Sequence, residues 1–280
     1  VKGSVIGAMW WHFLLLLGIG AAAAVFGSIV GLGGGVVIVP SLILLSPLMF
    51  EEPMSHAAAV GTSLFVLIFT AAASTLTYVR QNRVDFRSGW LFFITSGPGA
   101  IVGAAVTPLL GGNAFQFAFG LFMFAMAVLL AVRDRLKPFR IQWKIMRTHV
   151  DPHGNEFQYG YNIAPALAIG FFVGLVSGLF GIGGGSLFVP LMVLLFRFPP
   201  HVATATSMFV ILLSSILGSV SHLAQGNVDF WAAAALAPGA VFGGWAGAKI
   251  ASRLSSRHLL YVLRLTLFAF SLYMIWKSVR

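Results

Sequence analysis

Long stretches of this sequence carry no charged side chain, and that fact restricts its folds more than any other. Residues 3–50, 53–79, 89–132, 157–196 and 198–228 contain no Asp, Glu, Lys or Arg. About 20 apolar residues cross a bilayer as a helix. A soluble domain carries about 25% charged residues, whereas this chain has 9%, with 59% hydrophobic. It could not cover a water-facing surface. A transmembrane barrel would need period-two alternation, which is absent. The sequence therefore predicts an all-α integral membrane protein, multi-pass, in the inner (plasma) membrane of a cell. Its first apolar run is too long, and too closely followed by another, for a cleaved signal peptide. The bilayer is its first expected partner. The net charge of +10 does not point to nucleic acid, because Lys and Arg sit mostly between apolar runs, as orientation signals do. With no cysteine, disulfides, iron–sulfur clusters and thiolate zinc sites are excluded. No His or carboxylate group has metal-ligand spacing, and no cofactor is expected.

Apolar runs and punctuation give ten segments: 9–30, 36–50, 56–79, 88–110, 114–132, 163–180, 186–198, 202–224, 230–251 and 258–279. They fall into a first repeat (1–132), a basic linker (133–160) and a second repeat (161–280). The halves are copies. "GLGGGVVIVPSLILL" at 31–45 matches "GIGGGSLFVPLMVLL" at 181–195 at eight of fifteen positions, including all four glycines and the proline. "HAAAVGTS", "NRVDF" and "GPGAIVGA" are answered in order by "HVATATS", "GNVDF" and "APGAVFGG".

The charges orient the copies. The loop after the third segment carries Arg80, Arg83 and Arg87, and its partner carries no basic residue; the turn at 107–113 has none, while its partner has Lys249, Arg253 and Arg257. Inverted copies swap their basic load; same-side copies share it. Five crossings per half and inverted topology are favoured. That places the linker's Arg133, Arg135, Lys137, Arg140, Lys144 and Arg147 in the cytoplasm and both termini outside. The rival has the short second and seventh segments re-entrant, leaving eight spans in parallel copies.

Short, Gly- and Pro-interrupted segments at matching places in two halves are the best sequence pointer to a transporter's binding site. A glycine run turns tightly and leaves the N–H groups opening the next helix without intrahelical partners. Those donors, with the positive end of the helix dipole, suit an anion. The candidate site is Gly33, Gly34 and Gly35 with Gly183, Gly184, Gly185 and Ser186. The competing reading is that the glycines permit close helix packing or a tight hairpin. Walker and dinucleotide loops fit neither copy.

These motifs, with "AVGTS", "TATS" and the "PGA" runs, resemble the sulfite exporter TauE/SafE family, also called the toluene sulfonate uptake permeases. The resemblance covers both halves. It implies a secondary transporter, not an enzyme, moving small sulfur-containing or carboxylated anions. Sulfite and organosulfonates such as sulfoacetate are the implied substrates, with export commonly suggested.

Other residues join the candidate site. Thr62, Ser63, Thr206 and Ser207 could donate to an anion's oxygens or bond back to helix carbonyls. His56 and His201 are candidates for proton coupling, or interfacial residues at helix starts. Asp85 and Asp229 fit N-caps. Glu51 and Glu52 lie in the loop after the second segment, so no acid falls inside a span, which favours an anion path over a cation path. Arg264 is the one basic residue well inside a predicted span, but within snorkelling reach of its end. Trp10, Trp11, Tyr273 and Trp276 read as interfacial anchors. An anion channel stays open. So does an intramembrane serine protease using "GTSL" at 61–64 with His222 as base, although the duplicated Thr-Ser argues against one activated pair. The reading leaves room for a homo-oligomer.

Overall fold

A computed structural model describes residues 2–49, 53–132, 143–150, 156–251 and 257–279. Glu51, Glu52, Arg133, Arg135, Lys137, Arg140 and Arg253 lie outside the described residues. The described residues form ten α-helices: α1 (Lys2–Val30), α2 (Gly35–Met49), α3 (His56–Arg80), α4 (Phe86–Val106), α5 (Gly112–Val132), α6 (Ile163–Phe180), α7 (Gly185–Phe196), α8 (Pro200–Ala224), α9 (Phe230–Ile250) and α10 (Arg257–Val279). Six of them are long and apolar enough to cross a membrane, and α2 and α7 are the shorter apolar pair. Helix α9 is as long but diluted by Gly and Trp, and α10 carries Arg264 and Lys277. The fold is that of a multi-pass α-helical membrane protein.

Small residues set the helix pairing. On α9, Gly239, Gly243 and Gly247 back onto the carbonyls of Leu17, Ala21 and Val25 of α1. On α4, Gly99 and Gly103 back onto Phe171 and Leu175 of α6, while Gly174 and Gly178 return the contact to Ser96 and Ala100. Any Cβ at these places would overlap a backbone, so glycine lets the helices approach closely. Residue numbers rise together along both pairs, so α1 runs parallel to α9 and α4 to α6. The central pair is opposed: Gly61 near the start of α3 meets His222 and Asn227 at the end of α8, and Gly218 meets Leu64. On α5, Gly120 meets Ile275 of α10, while Phe124 pairs with Phe268, ring centroids 5.9 Å apart, so α5 and α10 also oppose.

The linker is more than a charged spacer. Residues β1 (Ile145–Val150) and β2 (Glu156–Tyr161) form an antiparallel hairpin, with Ile145 opposite Tyr161 and Val150 opposite Glu156. Phe157, Tyr159 and Tyr161 share one face by strand alternation. That face lies on the start of α8 and the end of α7: Tyr159 is 4.2 Å from Phe198 between ring centroids, and Phe157 is 5.5 Å from His201. The hairpin is an addition to the all-α expectation.

Candidate functional site

The two glycine stretches fold as matching turns. Gly31, Gly33 and Gly34 have φ of 79°, 85° and 97°; Gly181, Gly183 and Gly184 have 71°, 76° and 71°. Side chains with a Cβ rarely adopt this region. Each turn reverses the chain and starts a short helix. The first bonds of α2 run from Val37 N and Ile38 N to Gly34 O, at 3.0 and 3.1 Å; those of α7 run from Leu187 N and Phe188 N to Gly184 O, at 3.1 and 3.0 Å. The N–H groups of Gly35, Val36, Gly185 and Ser186 precede those bonds, as at any helix start.

The turns meet at the centre of the molecule. A Cβ on Gly33 would lie 3.2 Å from Leu67 Cδ2 and 3.4 Å from Ile211 Cδ1; one on Gly183 would lie 3.0 Å from both Ile211 Cγ2 and Leu67 Cδ1. Leu67 and Ile211 sit at the middle of α3 and α8. The turns also touch each other, because a Cβ on Gly35 would overlap Gly181 O and one on Gly185 would overlap Gly31 O. Residues 31–36 and 181–190 are buried throughout.

The Thr-Ser pairs tie each half to the other. Ser63 Oγ donates to Gly181 O at 2.8 Å, and Ser207 Oγ donates to Gly31 O at 3.0 Å. Thr62 Oγ1 accepts from Asp229 N at 2.9 Å, and Thr206 Oγ1 accepts from Asp85 N at 3.0 Å. Ser207 also reaches its own helix carbonyl at Thr204, 2.9 Å away. The four hydroxyls are fully buried and hold the turns and the loops after α3 and α8 in register.

His56 and His201 are not brought to the turns. They stand seven and six residues ahead of Ser63 and Ser207, which is roughly 10 Å of helix. His56 Nε2 lies 3.0 Å from Gln116 Nε2, and its ring is 5.1 Å from Phe115. His201 packs against Phe157 and His149 of the hairpin. Arg264 lines an apolar cleft of about 310 Å³ with Ala127, Val128 and Phe268, between α5 and α10. Ser63 and His222 are not hydrogen-bonded to each other: His222 Nε2 faces Gly178 O at 3.3 Å. Among the described residues no group of three or more His, Asp or Glu could hold a metal ion.

Asp229 caps α9 by accepting from Ala232 N at 2.8 Å. Asp85 caps α4 through Arg87 N and Ser88 N, at 3.1 and 3.2 Å, and does more. It also takes Ser88 Oγ, Tyr159 Oη at 2.9 Å and Arg147 at 3.6 Å. Burial and the Asp85 carboxylate push the Tyr159 phenol well above its ordinary pKa. Beside this knot lies a cleft of about 480 Å³ lined by Arg87, Arg147 and His149.

Sequence reasoning passed over three buried serines in the second half and named His222 only as the base of a protease. Ser177, Ser215 and Ser219 hydroxyls and His222 Nδ1 are buried without a hydrogen-bond partner among the described residues. Comparing the repeats position by position finds three of them: Ser177 stands where the first half has Gly27, Ser215 where it has Ala71, and His222 where it has Tyr78.

The comparisons with known proteins agree on one family. A model of the family "Sulfite exporter TauE/SafE" matches residues 16–274. "Probable membrane transporter protein YunE" of Bacillus subtilis is 45% identical over 270 residues, covering 95% of this chain and 98% of that protein. A "Probable membrane transporter protein" of Xylella fastidiosa is 30% identical over 267 residues, covering 94% and 96%. "Sulfite exporter TauE/SafE family protein 5" of Arabidopsis thaliana is 41% identical over 64 residues, 22% of this chain and 14% of that one. No solved structure matches.

Proposed function

The chain belongs to the sulfite exporter TauE/SafE family, a family of membrane transporters, and on that premise we propose that it is a secondary transporter of a small anion. Sulfite or an organosulfonate such as sulfoacetate is the substrate, bound near the membrane midplane at the glycine turns. One observation carries this reading above the rest: two left-handed glycine turns, each opening a short helix, meet at Leu67 and Ile211 in the middle of the central helices. Backbone N–H groups ahead of a helix's first bond and the helix dipole both favour an anion there. The turns are packed against each other and buried, and this reading takes the conformation as an occluded one. Release of the anion requires the turns to part, and the Ser63 and Ser207 bonds across the halves are the contacts that would break.

The same reading takes the halves as inverted repeats. Opposed α3 and α8, parallel α1 and α9, and parallel α4 and α6 all follow from five crossings per half. Parallel copies of four spans would run α3 and α8 in the same direction. Alternating access by rocking of one repeat against the other suits such a pair.

Flux in proteoliposomes tests the function. Labelled sulfite should enter with saturation and be accelerated by unlabelled sulfite inside. Saturable uptake with no counterflow would replace the transporter with a channel. Absence of flux for sulfite, sulfoacetate and acetate alike would end the anion reading.

A further inference from the structure

The two glycine turns are copies in backbone but not in the side chains around them. Positions 27 and 36 in the first half correspond to 177 and 186 in the second, 150 residues later, as Gly31 corresponds to Gly181. The first half has Gly27 and Val36; the second has Ser177 and Ser186. Both serines are almost fully buried, at 1% and 2% exposure. Neither hydroxyl has a hydrogen-bond partner among the described residues. Buried polar groups are nearly always bonded, and an exception calls for an explanation.

Their positions supply one. Ser186 is the second residue of α7, in the turn whose leading N–H groups precede the first intrahelical bond. Ser177 faces the same turn from α6, since its Cβ would be 3.4 Å from a Cβ on Gly184. Two unbonded hydroxyls therefore flank one helix start. At the first turn the corresponding ground is closed, because a Cβ on Gly27 would overlap the backbone of Gly33 and Gly34.

We propose that the anion is held at the α7 turn alone, by the Ser177 and Ser186 hydroxyls together with the N–H groups of Gly185 and Ser186. The α2 turn is then its structural counterpart, not a second subsite. This rests on the anion-transport reading and narrows it to one asymmetric site. Donors from both α6 and α7 beside one helix start suit a group with three oxygens. Sulfite or a sulfonate offers three, and a carboxylate offers two.

The test uses the purified full-length chain in detergent, titrated with sulfite, methanesulfonate and acetate, with affinity read from thermal stabilisation. Ser177→Ala and Ser186→Ala should each weaken sulfite binding about tenfold or more, as loss of a hydrogen bond to a charged group does. Their melting temperatures without anion should stay at or above the parent's, because the hydroxyls bond nothing in the free protein. Val36→Ala, at the first turn, should leave sulfite affinity within about twofold, well under the factor of ten that 1.4 kcal/mol brings. Methanesulfonate should bind more tightly than acetate. Parent-like sulfite affinity in both serine variants would overturn the asymmetric site and leave the transporter reading standing. Equal weakening by Val36→Ala would do the same, in favour of two equivalent turns. A clear fall in the anion-free melting temperature of the serine variants would assign the hydroxyls to the fold and overturn the proposal as well. No saturable binding of any of the three anions by the parent would take down the transporter reading, and this proposal with it.

Discussion

Ser63 and Ser177 are both buried serines near the same glycine turn, yet the structure gives them opposite work. Ser63 spends its one donor on Gly181 O; Ser177 spends its donor on nothing described. Ser63→Ala should therefore lower the stability of the anion-free protein by about 1–3 kcal/mol, since it orphans a buried carbonyl. A melting temperature equal to the parent's would show that the bond across the halves contributes nothing. The glycines divide in the same way. Gly33 faces the flexible ends of Leu67 and Ile211, whereas a Cβ on Gly34 would come within 2.7 Å of the Ala23 carbonyl oxygen. Both have positive φ, so alanine costs strain of roughly 1–2 kcal/mol at either. Gly34→Ala adds a backbone clash and should unfold at the lower temperature of the two. The reverse order would show that the turn relaxes freely. The sequence marked these glycines because they are duplicated and stand ahead of a short helix. It could not separate Gly33 from Gly34, because which neighbour each faces is set by α1, α3 and α8. Ser177 was passed over for a related reason: a lone serine in an apolar helix reads as bonded to its own carbonyls, and only its mismatch with Gly27 in the other repeat marks it.

At the scale of elements the helices were legible and the hairpin was not. Uncharged runs bounded by Gly, Pro and Arg predict 163–180 and 56–79, and the structure has Ile163–Phe180 and His56–Arg80. Helix α7 ends two residues early, at Phe196, because Arg197 turns left-handed with φ 55° ahead of Pro199 and Pro200. The hairpin went unseen because its alternating Phe157, Tyr159 and Tyr161 sit behind a stretch dominated by charge. What fastens it is Asp85, the α4 cap, which also receives Tyr159 Oη and Arg147. Its repeat counterpart Asp229 receives a cap bond from Ala232. Tyr159→Phe removes the phenol donor and keeps the Phe198 contact. It should speed hydrogen exchange of β1 and β2 by about tenfold, the equivalent of one hydrogen bond. Unchanged exchange would mean that ring packing alone holds the hairpin. The phenol's pKa is raised in the folded protein, so its stabilising contribution is fully present below the ordinary tyrosine value of about 10. It is lost only as pH rises above that value. Exchange in the unaltered chain should therefore show no loosening of the hairpin from this group between neutral pH and about pH 9.

Over the whole molecule, the arrangement of halves makes a prediction that no single residue does. Helices α3 and α8 are copies of each other, and they lie side by side pointing opposite ways. Two copies related by a two-fold axis oppose their central helices only if that axis is perpendicular to them. For membrane-spanning helices that means an axis in the plane of the bilayer. On the proposed inverted reading, equivalent loops then face opposite sides. Charge says the same by an independent route: Arg80, Arg83 and Arg87 crowd the loop after α3, while the loop after α8 has no basic residue. Native cysteines are absent from the sequence, so a single introduced thiol can be labelled without background. Gln81, at the end of α3, and Gln225, at the end of α8, are equivalent positions. Gln81→Cys should react with a membrane-impermeant maleimide only after the cells are opened, and Gln225→Cys should react on intact cells. Gln81 is half-buried and Gln225 exposed, so Gln81→Cys labels more slowly than Gln225→Cys even on the accessible side. The readout is therefore the side and not the rate. Labelling of both from one side would place the two loops together, and the inverted arrangement would fall together with the opposed packing of α3 and α8.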